Sequence, residues 1–191
     1  LPQPTVQFKD IDYVAFVDRD HDTSTIWEQR KALDFTLDSH YKGRRNAKIY
    51  KVLPQFFLPD YDYWIWVDSC HDVVMHPQEI IDNYLKEGEI GVWKHRKRTC
   101  VYREGGGLLG MKWDHPSLIT DQMTYYREDG LPKNNGLIEA SALIRKNTPS
   151  ICVLNLRWWE QICRYSSRDQ LSLPYTLWKS NITPVFLPGT V

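Results

Sequence analysis

The 191 residues balance 24 Lys plus Arg against 24 Asp plus Glu, and 42% of them are hydrophobic. That is enough apolar content for the core of one domain. The even charge excludes bulk attraction to nucleic acid or to an anionic membrane, and no run approaches the roughly 18 apolar residues that span a bilayer.

Ile11 to Asp18 is a short apolar run that predicts a buried strand ending in an acid. Asp20 to Thr25 is polar and suits a loop. Trp27 to Leu37 carries a mediocre helical pattern, and Arg44 to Phe57 a better one that Pro54 interrupts. Tyr63-Trp64-Ile65-Trp66-Val67 is a β-prone run that stops at Asp68. Pro77 to Leu85 predicts a helix with proline in its first turn, and Ile90 to Trp93 a strand. Gly105 to Gly110 lacks the Lys-Ser/Thr ending of a phosphate loop and predicts a flexible loop over the site. Ser117 to Glu128 predicts a helix, and Gly130-Leu131-Pro132 a turn. Strands are predicted at Ala140 to Arg145 and Ser150 to Leu154. Helices are predicted at Leu156 to Tyr165 and Asp169 to Lys179, and a last strand at Val185 to Leu187. Strands alternating with helices indicate an α/β sheet.

Eight Trp and 11 Tyr raise the aromatic content to 13%. Such rings fill cores or pack against the C–H faces of sugars, and Trp158 and Trp159 stand between those readings. Cys70, Cys100, Cys152 and Cys163 are scattered without zinc spacing. They are read as reduced thiols in a cytoplasmic protein. His21, His40, His76 and His115 lack a paired ligand at fixed spacing and are set aside.

Three constellations carry chemistry. In Trp66-Val67-Asp68-Ser69-Cys70-His71-Asp72 an acid emerges where a buried strand ends, the place where open α/β sheets bind ligands. A divalent cation there would bridge carboxylate oxygens to a diphosphate, although a strand-end Asp also caps ordinary turns. Lys94-His95-Arg96-Lys97-Arg98 could clamp phosphate, or be a solvated surface run. In Ser166-Ser167-Arg168-Asp169-Gln170-Leu171-Ser172, Ser or Asp could be a helix N-cap. A carboxylate at a helix start, held ionised by the dipole, would also suit a base acting on an acceptor hydroxyl.

Taken in order, Arg45-Asn46-Ala47-Lys48-Ile49-Tyr50-Lys51-Val52-Leu53-Pro54, then Leu58 to Asp68, His95-x-x-Arg98 with Tyr102 and Glu104, Gly136-Leu137-Ile138-Glu139 and Arg168 to Ser172 resemble a known pattern. It is that of a family of glycosyltransferase-like domains in plants, bacteria and large DNA viruses, once filed as a domain of unknown function. The resemblance runs from about Asp12 to Lys179 and includes a chlorella-virus member. It implies a single GT-A-type domain over residues 1–191 with a mixed, mostly parallel central sheet flanked by helices. The nucleotide would bind within about 1–95 and the acceptor within about 96–191. It also implies an earlier strand upstream of Leu1, and the chain can be part of a longer protein with further domains.

The same resemblance implies Mn²⁺- or Mg²⁺-assisted transfer from a nucleoside diphosphate sugar, UDP-linked, to a glycan or other hydroxyl acceptor, with inversion. The acidic metal motif falls on Asp68. Cys70 replaces its second acid, and a thiol is a poor Mn²⁺ ligand. Diphosphate oxygens, water, His71 or Asp72 would then complete the shell, with Cys70 and His71 kept as candidate ligands. Asp18 is placed near the nucleoside, and Ser69, His95 and Arg98 at the donor. Lys48 and Lys51, or the Arg96–Arg98 cluster, would offset leaving-group charge. Asp169 is the expected base, with Glu139 in reserve. The rival readings are a non-catalytic carbohydrate-binding module and a hydrolase of nucleotide sugars.

Overall fold

A computed structural model describes residues 3–19, 24–35, 42–111 and 114–190. The chain is built as β1 (Val14–Val17), β2 (Glu28–Lys31), α1 (Lys42–Val52), α2 (Pro54–Phe57), β3 (Tyr63–Val67), α3 (Pro77–Ile80), β4 (Ile90–Lys94), α4 (Val101–Leu109), α5 (Pro116–Glu128), β5 (Ile138–Lys146), α6 (Pro149–Arg164), α7 (Asp169–Lys179) and β6 (Val185–Phe186). Pro54, Pro77, Pro116 and Pro149 each open a helix, where the missing N–H has no intrahelical partner to lose. A wider helical turn, Ile81–Leu85, continues α3.

Two sheets result. β1 and β2 form a parallel pair, Val14 opposite Glu28 and Val17 opposite Lys31. The larger sheet has the order β3-β5-β4-β6. β5 runs against both β3 and β4, and β6 runs along β4. Three of the four strands therefore share one direction, as a mixed and mostly parallel sheet requires, with the reversed strand inserted between two of them. The β4–β5 register shifts between Gly91 and Trp93, a bulge that bends the sheet near the site.

One face of this sheet carries the main core, in which Val52, Leu53, Trp64, Val92, Leu143, Leu154, Trp158, Ile162 and Leu173 join α1, β3, β4, β5, α6 and α7. A second cluster packs α4 and α5 against Leu171 and Tyr175 of α7. Ile81, Leu85, Ile144 and Leu187 form a third. Helix α7 thus supplies both larger clusters, and every residue from Asp169 to Leu177 is buried. Trp158 is fully buried and donates its indole N–H to Ser172 Oγ at 3.0 Å, which settles it as a core residue.

Three local expectations are corrected. Within Trp27–Leu37, Glu28 to Lys31 is a strand, because its backbone completes the ladder to β1 and outweighs a weak helical pattern; residues 36–37 lie outside the described residues, as do Asp20 to Thr23 with His21, and His40. Ser150 to Leu154 is not a strand but the start of α6. Thr148 Oγ1 accepts the Ile151 N–H there, and Ile151, Leu154, Trp158 and Ile162 recur at helical spacing. Gly105 to Leu109 is not a loop but the second half of α4. Gly105 admits close packing, since a Cβ would stand 2.8 Å from Met123 Cγ on α5. Substituting Gly105 by Leu should therefore lower the urea midpoint, at a cost of about 1–3 kcal/mol from overpacking. An unchanged midpoint would mean that α4 and α5 are not in this contact.

Candidate functional site

Arg45, Lys48 and Lys51 recur every three residues on α1 and so share a face. That face is turned toward the start of α7. Arg45 Nη2 donates to the Tyr165 carbonyl at 3.0 Å. Lys48 Nζ donates to Asp169 Oδ2 at 2.6 Å. Lys51 Nζ lies 2.5 Å from the same oxygen and 3.5 Å from Asp68 Oδ1. Its approach to Asp169 is an ionic contact rather than an aligned hydrogen bond.

The end of α1 is fixed from below. Buried Arg145 on β5 donates to the Val52 carbonyl at 3.2 Å, to the Lys51 carbonyl and to Asn155 Oδ1 at 2.6 Å. A cation is favoured at a helix C-terminus. Burial pulls its guanidinium down to about 9, still protonated at neutral pH. The start of α7 is fixed from the side. Buried Asp114 accepts from Ser166 Oγ (3.1 Å), Ser167 N (2.7 Å) and Ser167 Oγ (2.9 Å), and Ser166 Oγ accepts the Arg168 N–H. The N-cap is therefore Arg168 rather than Ser or Asp, and Asp169 is the first helical residue.

Asp169 is 2% exposed. Burial opposes its ionisation, but the Lys48 and Lys51 ammonium groups outweigh that and hold the carboxyl far below the usual carboxylate range. Lys51 is fully buried, and desolvation lowers its pKa against the pull of Asp169. A carboxylate saturated by two cations is a weak proton acceptor. The geometry makes Asp169 an anchor for the lysines.

Asp68 closes the cluster on the strand side. Its backbone N–H donates to the Ser141 carbonyl on β5 at 2.8 Å. Its Oδ1 accepts the Trp66 indole N–H at 2.7 Å, and Lys51 lies over the Trp66 ring at 5.6 Å. The side chain remains 38% exposed. Among the described residues no three His, Cys, Asp or Glu side chains gather to hold a metal. One accessible carboxylate beside cations is not a closed protein cage. It fits a hard divalent ion that arrives with its phosphates and keeps several waters. Cys70 is exposed, and the His71 backbone N–H donates to the Asp68 carbonyl at 2.9 Å, closing a turn. Asp68, Cys70 and His71 do not together form such a group.

Glu139, on β5, accepts at Oε1 from Gln170 Nε2 at 2.5 Å and so borders the cluster through α7. Asp18 and Ser69 are exposed. Asp72 accepts the Thr5 N–H. His95 Nδ1 accepts the backbone N–H groups of Lys97 and Arg98, and Arg98 pairs with buried Glu104 at 2.5 Å. These two residues order the turn into α4. His76 caps α3 and pairs with Asp10 at 3.0 Å. The residues that sequence reasoning missed are Trp66 as a carboxylate partner, Asp114, Arg145 and Gln170. For Gln170 the signal was its place beside Asp169; for Arg145 it was a cation inside an apolar strand.

The model of the TOD1/MUCI70, glycosyltransferase-like domain matches residues 15–187. The chain is similar to an Arabidopsis thaliana protein named "Probable hexosyltransferase MUCI70", at 29% identity over 142 residues, covering 68% of this chain and 24% of that protein. The chain thus spans about a quarter of that relative's length. No solved structure matches. The relative is a plant protein, and these matches lend no support to the viral kinship expected from the sequence.

The Asp169 pair links stability to pH. Because its folded pKa is depressed, the pair stabilises fully above the unfolded carboxylate value near 4 and is lost as pH falls through the folded value. Asp169→Asn, which leaves buried Lys51 with only the more distant Asp68 as counter-charge, should cost about 3–5 kcal/mol at pH 7. Urea titrations should show that the gap to wild type narrows in acid. A gap independent of pH between 7 and 3 would contradict the ion pair.

Proposed function

The chain belongs to the TOD1/MUCI70 glycosyltransferase-like domain family, and from that membership we propose that it moves a hexosyl group from a nucleoside diphosphate sugar, UDP-linked, to a hydroxyl of a glycan acceptor. One observation carries the proposal above the others. Lys48, Lys51, Asp68 and Asp169 meet where β3 ends, so cations and an accessible carboxylate stand together at the carboxyl end of a strand. A GT-A-type arrangement belongs to the same proposal, supported by three co-directional strands around a reversed β5.

In this reading Asp68 would be the residue that holds Mn²⁺ or Mg²⁺. The ion, when bound, supplies charge neutralisation for the leaving diphosphate. Lys48, whose side chain is 21% exposed against 1% for Lys51, is the ammonium that reaches the phosphate oxygens. Lys51 stays between the two carboxylates and sets their separation. As the C–O bond to phosphate breaks, its electron pair passes to the phosphate oxygen beside Lys48. The acceptor oxygen attacks the anomeric carbon from the opposite side, with inversion. Its proton goes to Glu139, which we assign as base in place of Asp169. Glu139 Oε1 is held by Gln170, and Oε2 takes no hydrogen bond among the described residues.

Calorimetric titration with UDP, with and without Mn²⁺, tests the donor site. Mn²⁺-dependent binding that disappears in Asp68→Ala is expected; a wild type that binds none of UDP, GDP or TDP would sink the proposal. For the base, Glu139→Gln should lower kcat by about 10²–10⁴. If instead Asp169→Asn lowers kcat that far while retaining its fold, and Glu139→Gln does not, the proton goes to Asp169.

A further inference from the structure

Gln170 is 3% exposed and is the second residue of α7, next to Asp169. Its two amide ends are in opposite situations. Nε2 donates to Glu139 Oε1 at 2.5 Å, while Oε1 is buried with no hydrogen-bond partner among the described residues. The amide cannot be turned over to repair this, because a carbonyl oxygen would then face carboxylate lone pairs at the same short distance. Glu139 therefore fixes which end points away from it. The proton of Nε2 shared with a carboxylate also drives electron density toward Oε1, making it a better acceptor.

Buried acceptors are nearly always paired, and one left open calls for a partner the chain does not supply. Neither neighbouring lysine bonds to it: Lys48 donates to Asp169 Oδ2, and Lys51 makes an ionic contact with the same oxygen. Other open amide oxygens belong elsewhere, such as Gln122 beside Tyr126 in the α4–α5 core. The chemistry of an open Oε1 selects its ligand. A neutral acceptor next to two carboxylates repels phosphate and attracts a hydroxyl. In a donor whose phosphates lie on Lys48, the group one bond beyond them is the sugar.

We propose that Gln170 Oε1 accepts a hydrogen bond from a hydroxyl of the transferred sugar, making Gln170 a sugar-binding residue that Glu139 orients. The inference rests on the reading of this cluster as the donor site.

The test separates sugar from nucleotide. Gln170→Met keeps length and burial but removes the acceptor. Calorimetry with UDP, UDP-glucose and UDP-galactose in the presence of Mn²⁺ should show UDP affinity within about twofold of wild type, and at least one UDP-sugar weakened about tenfold, the scale of one lost hydrogen bond. Glu139→Gln frees the amide to turn and should weaken the same UDP-sugar by a smaller factor, again sparing UDP. If Gln170→Met does not fold, the Glu139→Gln titration decides alone. Equal weakening of UDP and UDP-sugar would make Gln170 a packing residue and overturn the proposal. Unchanged UDP-sugar affinity with a raised acceptor KM would assign the oxygen to the acceptor and overturn it as well. A wild type that binds neither UDP nor a UDP-sugar removes the donor-site reading and this inference with it.

Discussion

A lysine ammonium with no access to water must be matched where it lies, and Lys51 is matched by Asp169 at 2.5 Å. Taking two charges out of water is expensive, and their attraction compensates only when the geometry is held tightly. That requirement shapes the surroundings. Arg145 ties down the carbonyls at the end of α1. Asp114 ties down the turn that opens α7. Asp68 gives Lys51 a second, more distant counter-charge on the strand side. A hydrophobic pair of the same volume would be at least as stable, so stability alone does not account for ionic groups at this position. The proposed donor site, which would receive a multiply charged ligand, does.

The fold delivers these groups from four elements that share one core. α1, β3, β5 and α7 all contribute to the cluster around Trp64, Leu143, Trp158 and Leu173. Helix α7 is buried from Asp169 to Leu177, so Asp169 and Gln170 cannot shift without disturbing two cores. Rigid support of this kind keeps charged groups oriented before the ligand arrives, where they act most effectively on developing charge.

Much of this was legible in the chain. Tyr63 to Val67 alternates with turn signals and emerges as a strand with the expected bounds. Asp68 was legible as an acid at a strand end, while Lys48 and Lys51 entered through the family resemblance. Other parts depended on contacts that no local pattern encodes. Glu28 to Lys31 becomes a strand only because β1 is there to pair with it. The Gly105 run is helical against the propensity of glycine, and Gly105 lets α4 pack close to Met123 of α5. The proposed move of the base from Asp169 to Glu139 has the same origin. The position of Asp169 at a helix start is local, but the two lysines that fill its oxygen come from more than 110 residues away. Arg98 and His95, prominent in the linear motif, are drawn into Glu104 and a turn.

The account therefore stands on the claim that the lysine–carboxylate cluster at the end of β3 receives the donor diphosphate. The most direct measurement is a crystal structure of the protein grown with UDP and Mn²⁺. The account predicts phosphate oxygens within hydrogen-bond reach of Lys48 Nζ, and the ion on the open oxygen of Asp68. A diphosphate seated instead on the Lys94–Arg98 run, with Lys48 still on Asp169 and Asp68 free of metal, would contradict it.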